Sequence, residues 1–295
     1  MTVFNTTFTS RKGWREQLQE LWRYRDLIRN LIVRDLKVRY KHSALGILWS
    51  LLNPLLMMLI FSFVFTVMQP NNIPHFYVFL LAGLIPWNLF SGAVMGSTMQ
   101  VVGNAHLIKK VYFPREVLPL SMILSSFVNF LLSLIPLAFF LVYSGIGFTW
   151  HLLWLPVIMF IQLLLVLGLG FFLSAFTVFY RDAMMVLDVV ILGLFFMTPI
   201  FYPMELIQRE ATIFNVTLPI YRMVRWLNPM ASLIDSYRTV VYGVIEYSPD
   251  GLPIYYPPSA PALDFMLRTG LTAFIIFLMG WSFFRFVSPR FGEEA

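Results

Sequence analysis

The chain has no cysteine and little charge: of its 295 residues only 12% are Asp, Glu, Lys or Arg. A soluble domain usually carries about 25%. Without cysteine, disulfides and thiolate metal sites are excluded. His42, His75, His106 and His151 are too scattered for a ligand set, so no metal is expected. No glycine is followed by lysine anywhere. That excludes the G-x-x-x-x-G-K-S/T phosphate loop, so ATP is not bound here in that way. The first 44 residues hold no short apolar core with a small-residue cleavage site, and do not read as a signal peptide. The acids Glu205, Glu210 and Asp235 form no compelling catalytic constellation.

Apolar surface is what the chain has in excess, at 59% hydrophobic residues. Two long stretches, 42–108 and 117–180, contain no charge at all. A bilayer span needs ~20 apolar residues, so each stretch holds two spans with a turn between them. The turns are "QPNNIP" at 69–74 and "SGIGFTWH" at 144–151. Six spans are expected, at 48–68, 76–98, 117–143, 152–179, 185–202 and 265–287. The fold class is therefore an all-α integral membrane protein.

Lys and Arg mark the cytoplasmic side of a membrane protein. The first 44 residues hold ten basic and four acidic residues. Lys109, Lys110 and Arg115 follow span two, Arg181 follows span four, and Arg285 and Arg290 lie in the tail. The turns around Asn71 and Gly145 hold none. A multi-pass chain of the cytoplasmic membrane with both termini cytoplasmic fits this distribution. The formal net charge of +6 then reads as topology, and no nucleic-acid partner is needed. The external segment 203–264 holds four Arg and six acids, but is long enough for the charge rule to weaken.

Residues 1–44 form a unit apart from the six-span domain 45–295. Within them Trp14, Leu18, Leu21, Ile28 and Ile32 recur at helical steps, with basic residues on the other faces. This is the pattern of an amphipathic helix at the headgroups, acting as an anchor or as a lever that meets a partner. Pro54 removes a helical hydrogen bond in span one, and Asn53 is placed to satisfy a freed group. Gly92 and Gly96 form a G-x-x-x-G in span two that favours close packing. Trp87, Trp150 and Trp154 fit interfacial belts. In 203–264, Pro219 and Pro229 divide an apolar stretch into short pieces, read as re-entrant helices. Residues 248–261, "SPDGLPIYYPPSAP", read as an exposed Pro-rich connection.

Three regions could carry function. The loop 104–121, "NAHLIKKVYFPREVLPLS", combines Lys109, Lys110 and Arg115 with Val111, Tyr112, Phe113 and Pro114. An aromatic and aliphatic centre with a charged rim is how protein interfaces are built; an ordinary basic interfacial loop is the alternative. Arg181 and Asp182 are a second contact point or simple topology marks with a helix N-cap. Asp188, two turns further on, is expected to pair with a basic group near the interface. On span one, Ser50, Asn53, Met57, Phe61 and Phe65 recur at helical spacing, as do Leu192, Phe195, Pro199 and Tyr202 on span five. Such stripes suit sliding sugar rings, or ordinary helix packing. Tyr237, Arg238 and Tyr242 are candidates for sugar or headgroup contact.

The stretch "LIVRDLKVRYKHSALGILWSLLNPLLMMLIFSFVF" resembles the start of the membrane subunit of ABC-2 type polysaccharide exporters, the permeases for O-antigen, capsule and teichoic-acid-like polymers. "GLIPWNLFSGAV", "LIKKVYFPREVLPLS", "FYRDA", "TPIFYP" and "LNPMASLIDSYRTVVYG" follow in the same order. The resemblance covers roughly residues 31–243 and the last helix. It implies a lipid-linked polymer cargo, a second copy of the chain, and two copies of a separate ATPase subunit. ATP and Mg would bind that partner, and this chain would hold no cofactor and be no enzyme. It further implies a coupling helix in the 109–115 loop, a conduit lined by spans one and five, and an external gate around Tyr237, Arg238 and Tyr242. A permease for a lipid or small molecule, and a membrane-embedded glycosyltransferase or acyltransferase, are the rival readings.

Overall fold

The computed structural model describes residues 14–41, 43–68, 71–207, 211–213, 216–248 and 250–294. Among the described residues five segments are long and apolar enough to cross a membrane: Gly46–Met68, Phe76–Thr98, Val117–Tyr143, Trp150–Phe179 and Leu263–Arg290. Their helices are α3 (Trp49–Phe63), α4 (Phe76–Thr98), α7 (Val117–Tyr143), α8 (Leu155–Phe179) and α12 (Leu263–Val287). Ahead of them stand α1 (Trp14–Arg23) and α2 (Arg25–Tyr40). Short α5 (Gln100–Gly103) and α6 (Ala105–Lys110) link α4 to α7, and α13 (Phe291–Glu294) follows α12.

α4 is the centre of the bundle. Of its most apolar window 78% is buried, against 11% for the segment containing α3 and 28–33% for the other three. α3, α7, α8, α9 (Ala183–Met197) and α11 (Pro229–Val241) pack around it. α8 and α12 form the most extensive helix pair, and they meet backbone to backbone. A Cβ added at Gly280 would sit 1.9 Å from the Gly168 carbonyl oxygen. The G-x-x-x-G of α4 divides differently. Gly96 is covered by Met122, while Gly92 faces open space.

The expected amphipathic N-terminal helix is present as two helices, α1 and α2, divided at Tyr24, and protein covers part of their apolar face. Leu31 is buried with Val117 and Leu118 at the start of α7, and Leu21, Tyr24, Leu27, Ile28 and Phe113 gather round them. Further along, the Tyr40 hydroxyl donates to Asn129 Oδ1 at 2.8 Å. α2 therefore runs beside α7 for about ten residues. The side chains of Trp14 and Leu18, and all of His42, lie outside the described residues.

Pro54 lies inside α3 and leaves the Ser50 carbonyl without its helical donor. The expected remedy was Asn53. The structure instead supplies Ser133 of α7, whose Oγ lies 3.0 Å from Ser50 O and 2.9 Å from Asn129 O, sharing one proton between them. Beyond Phe63 the helix widens to a π-turn over Val64–Met68.

The expected span 185–202 is α9, 15 residues long, and it stops at Met197. At 1.5 Å per residue it covers about 22 Å, short of the ~30 Å hydrocarbon core. The stop has a local cause. Thr198 turns extended, its Oγ1 bonds back to Leu194 O at 2.6 Å, and Pro199 has no N–H to continue the ladder. Thr198, Ile200 and Phe201 remain buried.

The segment after α9 is not wholly helical. Short antiparallel pairs form between β1 (Ala211–Ile213) and β2 (Val216–Leu218), and between β3 (Val244–Tyr247) and β4 (Pro253–Tyr256). The expected exposed connection 248–261 thus contributes a strand, and Pro258 and Pro261 are buried. Between the hairpins stand α10 (Ile220–Leu227) and α11, separated at Pro229 as expected. Asn228 caps α11 by accepting from Met230 N and Ala231 N at 3.1 and 3.3 Å.

Candidate functional site

The basic loop between α4 and α7 stands at one end of the bundle. Asn104 immediately precedes α6, its Nδ2 donating to Gln100 O at 2.9 Å. Lys109 and Lys110 end that helix in its last turn, where cations suit the dipole. Both are exposed. Val111 and Tyr112 then project outward, Tyr112 87% exposed.

The remainder of the loop is fastened inward. Phe113 packs on the Leu31–Val117–Leu118 cluster, and Pro114 is half-buried beside it. The Arg115 guanidinium lies 5.8 Å from the centroid of the Phe291 ring in α13. Glu116 follows, its carboxyl pKa raised by burial. The Arg285 and Arg115 charges oppose that shift, and Glu20 adds to it. Residues 109–115 therefore divide into an outward half, Lys109 to Tyr112, and an anchoring half, Phe113 to Arg115. Arg181 and Asp182 are exposed just ahead of α9. Asp182 is its N-cap residue, but its side chain makes no capping bond. Asp188 is exposed on α9, with no ion pair to it among the described residues.

The two stripes proposed for a conduit meet in part. Phe61 lies 6.2 Å from Phe195 and 4.4 Å from Phe201, and Phe65 lies 5.8 Å from Phe201, between ring centroids. Trp87 of α4 adds a 5.5 Å contact to Phe195. Phe201 is the hub of this group, and the sequence reading did not single it out. Tyr202 lies beyond, its hydroxyl donating to Phe196 O at 3.2 Å. Asn53 and Met57 are exposed. Asn53 lines a cavity of about 410 Å³ together with Tyr40, Asn88, Asn129 and Arg39.

Tyr237, Arg238 and Tyr242 come together in the interior and present little surface, at 2%, 5% and 0% exposure. The direct sugar or headgroup contact expected of them is not what this arrangement offers. The Tyr237 hydroxyl donates to Gln162 Oε1 at 2.8 Å, and Gln162 Nε2 donates to Pro86 O at 2.7 Å. The Tyr242 hydroxyl donates to Pro74 O at 2.6 Å. Arg238 donates to the carbonyls of Phe79, Pro199, Ile200 and Tyr202 and lies over the Phe79 ring at 3.6 Å. It ties α11 to α4 and to the residues that end α9. Asp235 pairs with Arg225, Glu205 is exposed, and Glu210 lies outside the described residues. No group of acids and histidines suited to a metal occurs among the described residues.

A tightly packed body with an outward basic and aromatic loop is what a subunit needs if force reaches it from another protein. The ABC-2 type transporter family matches residues 26–242, from the start of α2 to the end of α11. The chain belongs to the ABC-2 type transporter family. Its relatives include the O-antigen export system permease protein RfbA of Myxococcus xanthus, 39% identical over 229 residues, which cover 76% of this chain and 84% of that protein. An O-antigen export system permease protein RfbA of Klebsiella pneumoniae is 32% identical over 270 residues, 91% of this chain and 94% of that protein. As an ABC-2 membrane domain with five long apolar helices, the chain is a multi-pass membrane protein.

Proposed function

We propose that this chain is the membrane-spanning permease of an ATP-driven exporter, and that its cargo is a lipid-linked polysaccharide of the O-antigen kind. The observation that carries this reading is the similarity, over 76% and 91% of this chain, to two permeases of O-antigen export systems. The chain is a transport subunit of the cytoplasmic membrane with both termini cytoplasmic. α9 and residues 198–202 complete a sixth crossing, and α10 and α11 are re-entrant from outside. ATP and Mg belong to a separate ATPase subunit, present in two copies and docked on Lys109, Lys110, Val111 and Tyr112, with Arg181 and Asp182 nearby. The exposure of Tyr112 supports that docking.

A second copy of the chain faces the first across α3. The support is that only 11% of its apolar window is covered within one chain, beside a central α4 at 78%. The polymer passes Asn53 and Met57 and then Phe61, Phe65, Phe195 and Tyr202, with Phe201 packed behind the rings. Tyr237, Arg238 and Tyr242 hold the external gate in place from within.

The experiment is deletion of the gene for this chain in its own cell. Polymer disappears from the surface and lipid-linked polymer accumulates inside, and restoring the chain reverses both. Normal surface polymer in the deletion strain sinks the reading, as does a purified chain that hydrolyses ATP alone.

A further inference from the structure

A second basic and aromatic group lies at the far end of the molecule from the 109–115 loop. α12 carries its C-terminal end to α13, where Arg115 lies over Phe291. Its 25 residues put the start of α12 about 38 Å away at 1.5 Å per residue. There, between α10 and the first turns of α12, is a cavity of about 420 Å³. Three arginines line it, Arg222, Arg225 and Arg268, with the rings of Tyr221, Trp226 and Phe265 and one carboxylate, Asp264.

The geometry points to a phosphate site in this cavity, holding the headgroup of a lipid at the membrane surface opposite the basic loop. Arg225 is 93% buried and is clasped by rings, 5.0 Å from Tyr221 and 4.1 Å from Phe265. Asp235 takes one of its amino groups, but its Nε has no partner among the described residues. A buried guanidinium N–H is costly to leave unmade, and a phosphate oxygen is the acceptor that guanidinium geometry suits. Arg268 lies over Trp226 at 4.8 Å and donates to Arg225 O, so the second arginine is held by the first. Asp264 and Asp235 together leave one positive charge of the three uncompensated. The N-terminus of α12 adds its dipole, and no side chain caps it.

The surroundings identify the phosphate as a lipid's. Trp226, Leu227, Leu263 and Leu267 around the cavity are 66%, 76%, 54% and 73% exposed. Arg268 lies five residues into a membrane-crossing helix, about 8 Å from its start. That is headgroup depth, where tryptophan collects and arginine meets phosphate. Acyl chains would cover the leucines while the phosphate meets the arginines. The site is independent of the cargo proposed above and stands or falls separately.

The test uses the purified full-length chain and native mass spectrometry of retained lipid. The probes are phosphatidylglycerol, diacylglycerol with the same acyl chains, and inorganic phosphate as competitor. Phosphatidylglycerol should be retained about tenfold better than diacylglycerol, the ratio that one charge-assisted bond supplies. The double variant Arg222→Gln/Arg268→Gln should lose that preference. Arg222 is exposed, so Arg222→Gln alone should fold normally and weaken retention in the same direction. Equal retention by wild type and both variants overturns the site, as does equal retention of the two lipids. Displacement by inorganic phosphate as readily as by phosphatidylglycerol overturns the assignment to a lipid.

Discussion

Arg238 does its work through carbonyls. Four of them, one from α4 and three from the stretch that follows α9, point at one guanidinium. Arg238→Leu should therefore strand several buried acceptors at about 1–3 kcal/mol each. The expected outcome is a melting temperature in detergent lowered by many degrees, or no folded protein. Arg238→Lys should not rescue it, because a single ammonium cannot fork to four oxygens. Glu116 should behave in the opposite sense. Burial raises its folded pKa above the unfolded carboxylate value. A group of this kind favours the fold below the unfolded pKa and loses that contribution as pH rises through the folded one. Glu116→Gln should then be more stable than wild type at neutral pH, with the gap closing on acidification, as pH-dependent thermal unfolding will register. At this scale the sequence showed chemistry without location. Tyr237, Arg238 and Tyr242 were conspicuous as polar groups in an apolar stretch. Nothing local announced that their partners are Gln162, 75 residues away, and Pro74, 168 away.

Helix ends were legible where the signal lies within the chain's own neighbourhood. The expected 76–98 and 117–143 coincide with α4 and α7, because turn residues and charge bound both apolar runs. The expected 185–202 overran α9 because Thr198 and Pro199 end the helix while the residues stay apolar, and hydropathy is blind to that difference. The α8–α12 contact was invisible for another reason. Gly168 and Gly280 lie on different helices, whereas a G-x-x-x-G pattern is sought within one. Pro54 and Ser133 offer a quantitative test of an inter-helix bond. Ser133→Ala should cost about 1 kcal/mol in thermal unfolding. In a Pro54→Ala background residue 54 regains its N–H and reaches Ser50 O itself, so the same change should cost less. Additivity of the two substitutions would show that Ser133 is not the carbonyl's donor.

Across the whole molecule the basic loop has one half for display and one for anchorage. Lys109→Glu/Lys110→Glu/Tyr112→Ala should abolish co-purification with the ATPase partner and export, while the melting temperature moves by less than about 1 kcal/mol in equivalent stability. Arg115→Ala should instead loosen the α13 contact and lower stability itself. A triple variant that still binds the ATPase and still exports would remove the loop from the coupling path. Basic residues, an aromatic centre and a position between two apolar runs made this region readable from the outset. Its division at Phe113 was not readable, because Phe113 and Arg115 are held by Leu31 and Phe291, from opposite ends of the chain.

The bond from Ser133 to Ser50 also constrains how the protein is made. The ribosome delivers α3 first, and its donor follows 83 residues later. Until then the Ser50 carbonyl, four residues into the crossing segment Gly46–Met68 and so near headgroup depth, has to take its bond from water. That end of the first helix is therefore expected to keep its water until the third crossing brings Ser133 to replace it.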